Sequence, residues 1–221
     1  MKVGAVIVAA GRGLRAGGGT PKQWRPLNGA TSAHYALQAF ADHPGISKLV
    51  LVIHQDDLKT DFWPRTPAAD IVVGGATRSA SVLAGLMHVQ GSVDCVLIHD
   101  AARPCVTPQI IDGVLAALDD TRAAAPALPV VDALWTGAEG RVTGTASREG
   151  LYRAQTPQGF HLSDIIEAHQ KFPDGAADDV EIARAAGLEV VITPGHEDNL
   201  KITTPADFER AEAILRARHG R

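Results

Sequence analysis

The sequence predicts an α/β fold with a mostly parallel central sheet and helices on both faces. Two observations carry that expectation. Short apolar runs of strand length alternate with segments of helical period, and a glycine-rich loop follows the first run, at the edge where such sheets meet ligands. A chain of 221 residues, 45% hydrophobic and 21% charged, suits one domain with a buried core, spanning 1–221.

Taken in order, Lys2–Ala9 reads as a buried strand through Val3, Val6, Ile7 and Val8. The glycine-rich loop runs to about Gln23. Thr31 or Ser32 caps a helix to Ala41. Lys48–Ile53 and Asp70–Val73 are strands two and three, and Thr77 caps a helix over Arg78–Val89, stopped near Gly91. Asp94–Ile98 is a fourth strand, ending at His99-Asp100. Pro108 opens a helix to about Leu118, and alanine-rich Ala123–Val131 is a fifth strand. Residues 132–154 carry scattered β-formers and the turn glycines Gly137, Gly140 and Gly144, with no helical period. They predict an extended β-arm, too polar for a core and suited to a contact between subunits. Helices near Ser163–Phe172 and Asp179–Ala186, a strand at Glu189–Thr193 and a helix from Pro205 to about Arg218 complete the chain. No internal repeat or low-complexity linker divides it.

Composition narrows the function classes. No apolar run reaches about 18 residues, so no membrane span is expected, and the N-terminus lacks the pattern of a signal peptide. Cys95 and Cys105 form no C-x-x-C pair, which fits a reduced, cytoplasmic setting. The nine histidines fall in no tight ligand spacing, which argues against a zinc enzyme. Aromatics at 5% and the lack of an extended basic face argue against nucleic acid.

Charge then singles out the first loop. No acid precedes Asp42, while Lys2, Arg12, Arg15, Lys22 and Arg25 are all basic, in a chain of net charge −4. That local reversal of sign points to a polyanionic ligand. Gly11-x-Gly13-x-x-Ala16 formally matches a dinucleotide fingerprint. The fingerprint needs a helix to begin inside the motif, and Gly17-Gly18-Gly19 with Pro21 oppose one; the ribose-binding acid is missing too. Nor is it a P-loop, since G-x-x-x-x-G-K-[ST] is absent. A nucleoside triphosphate fits better: glycines let backbone N–H groups approach phosphate oxygens, and fixed cations offset charge on a transferred phosphoryl group.

Five motifs resemble, in order, one family: Ala9-Ala10-Gly11 with Arg15 and Pro21-Lys22-Gln23; Gly74-Gly75-x-x-Arg78-x-x-Ser81-Val82; His99-Asp100-Ala101-Ala102-Arg103-Pro104; Thr156-Pro157-Gln158; and Asn199-Leu200-Lys201-Ile202-Thr203. The family is 2-C-methyl-D-erythritol 4-phosphate cytidylyltransferase, of the non-mevalonate isoprenoid pathway. The resemblance implies a Rossmann-like nucleotidyltransferase fold with a protruding β-arm. The implied reaction joins CTP to the polyol phosphate and releases pyrophosphate, with Mg²⁺ present. It implies Arg15 and Lys22 at the transition state, Ala9, Ala10, Gly11 and Gly75 presenting backbone to CTP, and Ser81 at the cytosine. Asp100 stands near the metal and triphosphate. Arg103, Arg148 and Lys201 surround the sugar phosphate, Arg148 and Lys201 also counting among the catalytic cations. Asp198 either holds a substrate hydroxyl or orients Lys201. Arg148 lies on the arm, which implies a homodimer whose arm completes the neighbouring site. His99 reads as a structural brace.

Two positions depart from the family pattern: Ala133 replaces a usual threonine, and Ala76 stands where an acid often follows the paired glycines. Residues 178–187 and the Pro205–Glu212 segment look like versions fused to a cyclodiphosphate synthase, for which a chain ending at Arg221 leaves no room. Ribitol-5-phosphate cytidylyltransferase remains an alternative, as does a more remote sugar-1-phosphate nucleotidyltransferase. So does a non-catalytic nucleotide-binding protein.

Overall fold

The computed structural model describes residues 1–12, 19–60, 69–172 and 176–219. Among these, an eight-stranded mixed sheet forms the centre. Strands β1 (Val3–Val8), β4 (Lys48–Ile53), β5 (Ala69–Val73) and β6 (Cys95–Asp100) run parallel in the order β6-β1-β4-β5. Between β1 and β4, Pro26–Leu27 (β2) and Ala30–Thr31 (β3) make a two-residue hairpin of their own. Beyond β6 lie β11 (Gln158–His161), then β7 (Ala123–Pro129), then β12 (Val191–Pro194). β11 is antiparallel to both neighbours, whereas β12 is parallel to β7.

Alternation along the strands distributes the core. Val3, Ala5 and Ile7, with Leu49, Leu51 and Ile53, face α1 (Ser32–Ala41) and α3 (Pro108–Asp120). Their neighbours Val6, Val50, Val52, Val96 and Ile98 face the other way, toward α2 (Arg78–Val89), α4 (Leu162–Lys171) and α5 (Asp179–Ala185). Parallel strands covered on both faces must be apolar on both faces, which is why these runs show no polar alternation. Helix α6 (Pro205–His219) packs Ala211 and Leu215 on Leu27, Cys105, Leu200 and Ile202 in a third cluster.

The expected caps form. Thr31 Oγ1 accepts the His34 amide and Thr77 Oγ1 the Ala80 amide, each satisfying a first-turn N–H that has no helical partner.

Two expectations need correction. β11 is absent from the sequence reading, because four residues after a proline carry almost no periodic signal. Phe160, fully buried between the sheet and α4, makes it a strand through tertiary packing. The stretch 132–154 is also not one element. Leu134–Ala138 (β8) and Arg141–Ala146 (β9) pair only with each other, with a register shift at Thr136/Gly137. Tyr152–Ala154 (β10) instead joins the central sheet, antiparallel to β7.

Candidate active site

Register places the loops that matter side by side. Val8 of β1 lies opposite both Val52 of β4 and Asp100 of β6, so three parallel strands end at one edge. The chain leaves that edge as Ala9-Ala10-Gly11-Arg12, as Gly74-Gly75 after β5, and as Ala101-Ala102-Arg103 after β6. Between them opens a pocket of about 370 Å³. Ala9, Ala10, Gly11 and Gly75 line it with backbone, and Thr77 and Arg78 bring the capped start of α2 to its rim. Gly74 permits this close approach: a Cβ there would stand 2.6 Å from Ser81 Oγ and 2.8 Å from Ala10 Cβ.

The side chains add a convergent electrostatic centre. Asp100 meets Lys201 Nζ at 2.7 Å, Arg78 at 3.7 Å and Arg103 Nε at 3.9 Å. Burial alone would raise the Asp100 pKa, but the charges of Lys201, Arg78 and Arg103 outweigh it and hold the carboxyl far below its ordinary value. Arg78 is anchored from behind by the fully buried Asp179 at 2.7 Å. Despite the opposing effect of burial, Asp179 and Asp100 keep that guanidinium firmly charged. Asp179 is held in turn by His169 Nε2 at 3.2 Å, and His169 Nδ1 by Ser79 Oγ at 3.0 Å. Lys22 lines the same pocket and donates to the Ile202 carbonyl at 2.5 Å. Arg12, Lys22, Arg78 and Lys201 line the pocket with one carboxylate, Asp100, among the described residues, and Arg12 is itself paired with Asp57 and Asp56 outside the lining. Such a cradle suits a highly charged anion.

The other motifs lock this centre in place. Thr156 Oγ1 accepts the Asp100 amide at 3.2 Å and pairs with His99 Nδ1 at 2.9 Å. His99 is buried, its other nitrogen meets the Arg103 carbonyl at 3.1 Å, and desolvation pulls its pKa down to about 4. A neutral imidazole braces the turn, as the sequence reading held. Gln158 donates to Asp178 and accepts the amides of Asp179 and Val180, so it fixes the start of α5 and with it the partner of Arg78. Asn199 donates to the Thr156 carbonyl at 2.9 Å, while its own carbonyl accepts Arg103 Nη1 at 2.7 Å.

Of the sequence-predicted site residues, Ala9, Ala10, Gly11, Lys22, Gly75, Ser81, Asp100 and Lys201 line one pocket. Ser81 is buried and its hydroxyl donates to the Thr77 carbonyl at 2.8 Å. Arg103 lies behind Asp100, nearly buried, tying the 154–156 and 199–202 segments to the turn. Asp198 pairs with Arg218 at 3.2 Å, and the acid that holds Lys201 is Asp100. Arg148 is exposed and donates to the Val131 carbonyl, away from this pocket. Arg15 lies outside the described residues. Sequence reasoning did not assign Arg12, Gln23 or Arg78 to the site. Arg78 was visible as the first residue of a capped helix, but its buried partner Asp179 stands 101 positions away.

Comparison with known proteins identifies this arrangement. The profile of IspD, 2-C-methyl-D-erythritol 4-phosphate cytidylyltransferase, matches residues 3–217. The chain belongs to this family. A 2-C-methyl-D-erythritol 4-phosphate cytidylyltransferase of Roseobacter denitrificans is 68% identical over 220 residues, covering 100% of both chains. The bifunctional enzyme IspD/IspF of Rhodobacter capsulatus is 55% identical, and the chain covers 58% of its length. The crystal structure of the Thermus thermophilus cytidylyltransferase superposes with a TM-score of 0.82 at 32% identity, covering 98% of this chain and 100% of that one. In IspD terms, the five motifs are the five segments that build and brace one pocket.

Proposed function

We infer that this protein transfers the cytidylyl group of CTP to 2-C-methyl-D-erythritol 4-phosphate, releasing pyrophosphate, in isoprenoid biosynthesis. The observation that carries the reading is the meeting of glycine-loop backbone with Lys22, Lys201 and Arg78 around Asp100, in a chain of the IspD family. The nucleophile is a phosphate monoester whose second pKa is about 6, so at neutral pH it is already largely a dianion and needs no general base. What remains is to hold two anions together and to stabilise charge at the α-phosphorus. Lys22 and Lys201 serve the triphosphate and the transition state. Backbone amides of Ala10 and Gly11, which line the pocket, receive phosphate oxygens, and Gly75 with Ser81 borders the base. Arg15 belongs to the same reading by motif.

Mg²⁺ is part of this proposal. No cluster of three His, Cys, Asp or Glu side chains exists among the described residues, and the pocket offers the ionised Asp100 alone. A lone carboxylate fits Mg²⁺, which keeps waters and takes most of its ligands from substrate phosphates. When bound it supplies neutralisation of triphosphate charge, with Asp100 as its protein ligand, direct or through water.

The reading extends to a homodimer in which β8–β9 and Arg148 complete the neighbouring site, where Asp198 holds a hydroxyl of the polyol phosphate and Arg103 supports the site from behind Asp100. Trp135 of β8 is 69% exposed and Val142 of β9 is exposed too, apolar side chains on the hairpin that a second copy would cover. No helix among the described residues is long and apolar enough to cross a membrane, and a cytoplasmic location is inferred with the rest. A coupled pyrophosphate-release assay with CTP and a panel including 2-C-methyl-D-erythritol 4-phosphate and ribitol 5-phosphate tests the reaction. Turnover confined to the methylerythritol substrate is expected; preference for ribitol phosphate, or CTP binding without pyrophosphate release, overturns it.

A further inference from the structure

A buried carboxylate outside the motifs, Asp57, has both oxygens committed. It is 2% exposed and sits in the 3-10 turn Gln55–Lys59 that follows β4. Its Oδ1 accepts Arg12 Nη1 at 3.0 Å and its Oδ2 accepts Trp24 Nε1 at 2.9 Å. Arg12 stands where the glycine-rich loop begins and Trp24 where it ends, at the close of the 3-10 turn Lys22–Trp24. One side chain on a neighbouring strand's exit therefore grips both ends of that loop. Gln23 Nε2 adds a parallel tie, to the carbonyls of Ala9 at 2.5 Å and Gly11 at 2.8 Å.

We propose that Asp57 is a positioning residue for the cytidylyl transfer: by holding Arg12 and Trp24 together it sets where the loop delivers Lys22. The proposal rests on the reading that Lys22 serves the transition state. Indole N–H is donor-only and Trp24 is nearly buried, so it requires an acceptor inside the protein, and Asp57 is that acceptor. Arg12 meets the second oxygen in a charge-assisted bond, the stronger kind. Asp56 also approaches Arg12, at 3.3 Å, but it is exposed, and an exposed pair contributes little. The burial of Asp57, rather than the charge count, distinguishes the two acids. A cation misplaced by about 1 Å at a phosphoryl centre loses roughly a hundredfold in rate, so a grip two residues from Lys22 has leverage on turnover.

The test is Asp57→Asn, which leaves one amide oxygen as acceptor for Trp24 and turns the amide N–H₂ toward Arg12. Asp56→Asn is the control. Hydrogen exchange is followed at the peptides carrying Ala9–Arg12 and Lys22–Trp24, against β4 and β6, together with steady-state kinetics in the native and Lys22→Ala backgrounds. The expected result is faster exchange at those two peptides alone and a fall in kcat of about 10- to 100-fold, with KM for the polyol phosphate within about twofold. Asp57→Asn should add little to Lys22→Ala, since both act through one cation. Unchanged exchange at the two peptides overturns the proposal, as does exchange raised equally in the sheet, which would make Asp57 a general support of the fold. Full additivity with Lys22→Ala overturns it as well. A Lys22→Ala variant with normal turnover would instead sink the reading of Lys22, while the exchange result still decides whether Asp57 holds the loop ends. Should Asp57→Asn not fold, Arg12→Met severs the charged half of the grip and is judged by the exchange criterion alone, because Arg12 also lines the pocket.

Discussion

Replacing Asp100 with asparagine tests the electrostatic centre most directly. Three cations, Lys201, Arg78 and Arg103, stand within 3.9 Å of this carboxylate, and a neutral amide in its place would leave them facing one another. Breaking a buried ion pair costs about 3–5 kcal/mol; Lys201 reaches solvent and Arg78 keeps Asp179, so a loss of about 2–3 kcal/mol is expected. For a domain of this size that lowers Tm by roughly 5–10 °C. The surplus positive charge should also make metal-free CTP stabilise Asp100→Asn more than the native protein, while pyrophosphate release falls. The pH dependence follows with a definite sign. A carboxyl held below its ordinary 3.8 in the folded state gives stability that is present above that value and lost as pH falls below it. The variant should lack that share of acid lability. Thermal melts with and without CTP, from pH 7 to pH 2.5, read both effects. A variant melting at the native temperature, and no more responsive to CTP, would refute the claim that one carboxylate neutralises this cluster.

Other outcomes are expected elsewhere. His99, pulled from 6.5 to about 4, stays neutral in the fold while the unfolded chain takes up a proton, so stability drops as pH falls from 6.5 toward 4, by roughly 3 kcal/mol at most. His99→Gln should flatten that window in urea titrations; an unchanged slope would place it in another group. Gly85→Ala puts a Cβ 2.5 Å from Val6 Cγ1 and 2.9 Å from Val52 Cγ2, so α2 must lift from the sheet, at a cost of about 1–3 kcal/mol in chemical denaturation. Arg148→Ala should raise KM for the polyol phosphate, and mixing it with Lys22→Ala should recover activity through shared sites; no recovery argues for self-contained protomers. Burial pushes the Cys95 and Cys105 thiols up to about 11, so iodoacetamide should label them only when the protein is denatured.

Much of the fold was legible because its signals are local. Apolar runs, the Thr31 and Thr77 caps, Pro108 and the turn glycines act within a few residues, and the strands and helices they mark lie where expected. Chain order then implied a parallel sheet whose strand ends share one edge, and the excess of cations after β1 implied an anion there. Lys22, Asp100 and Lys201 were accessible by motif. β11 was not, since Gln158–His161 becomes a strand only between β6 and β7. Nor did periodicity separate β10 from the hairpin of β8 and β9.

What the sequence by itself determined is the order of layers, the edge that carries the site and the sign of its ligand, because backbone preference and hydrophobic period are properties of neighbouring residues. Tertiary structure alone decided that Asp179 holds Arg78, that Gln158 caps the helix bearing Asp179, and that Asp57 joins Arg12 to Trp24. Buried charges and indoles need partners wherever the fold brings one, and a distance of 21 to 101 residues along the chain leaves no pattern from which that partner can be read.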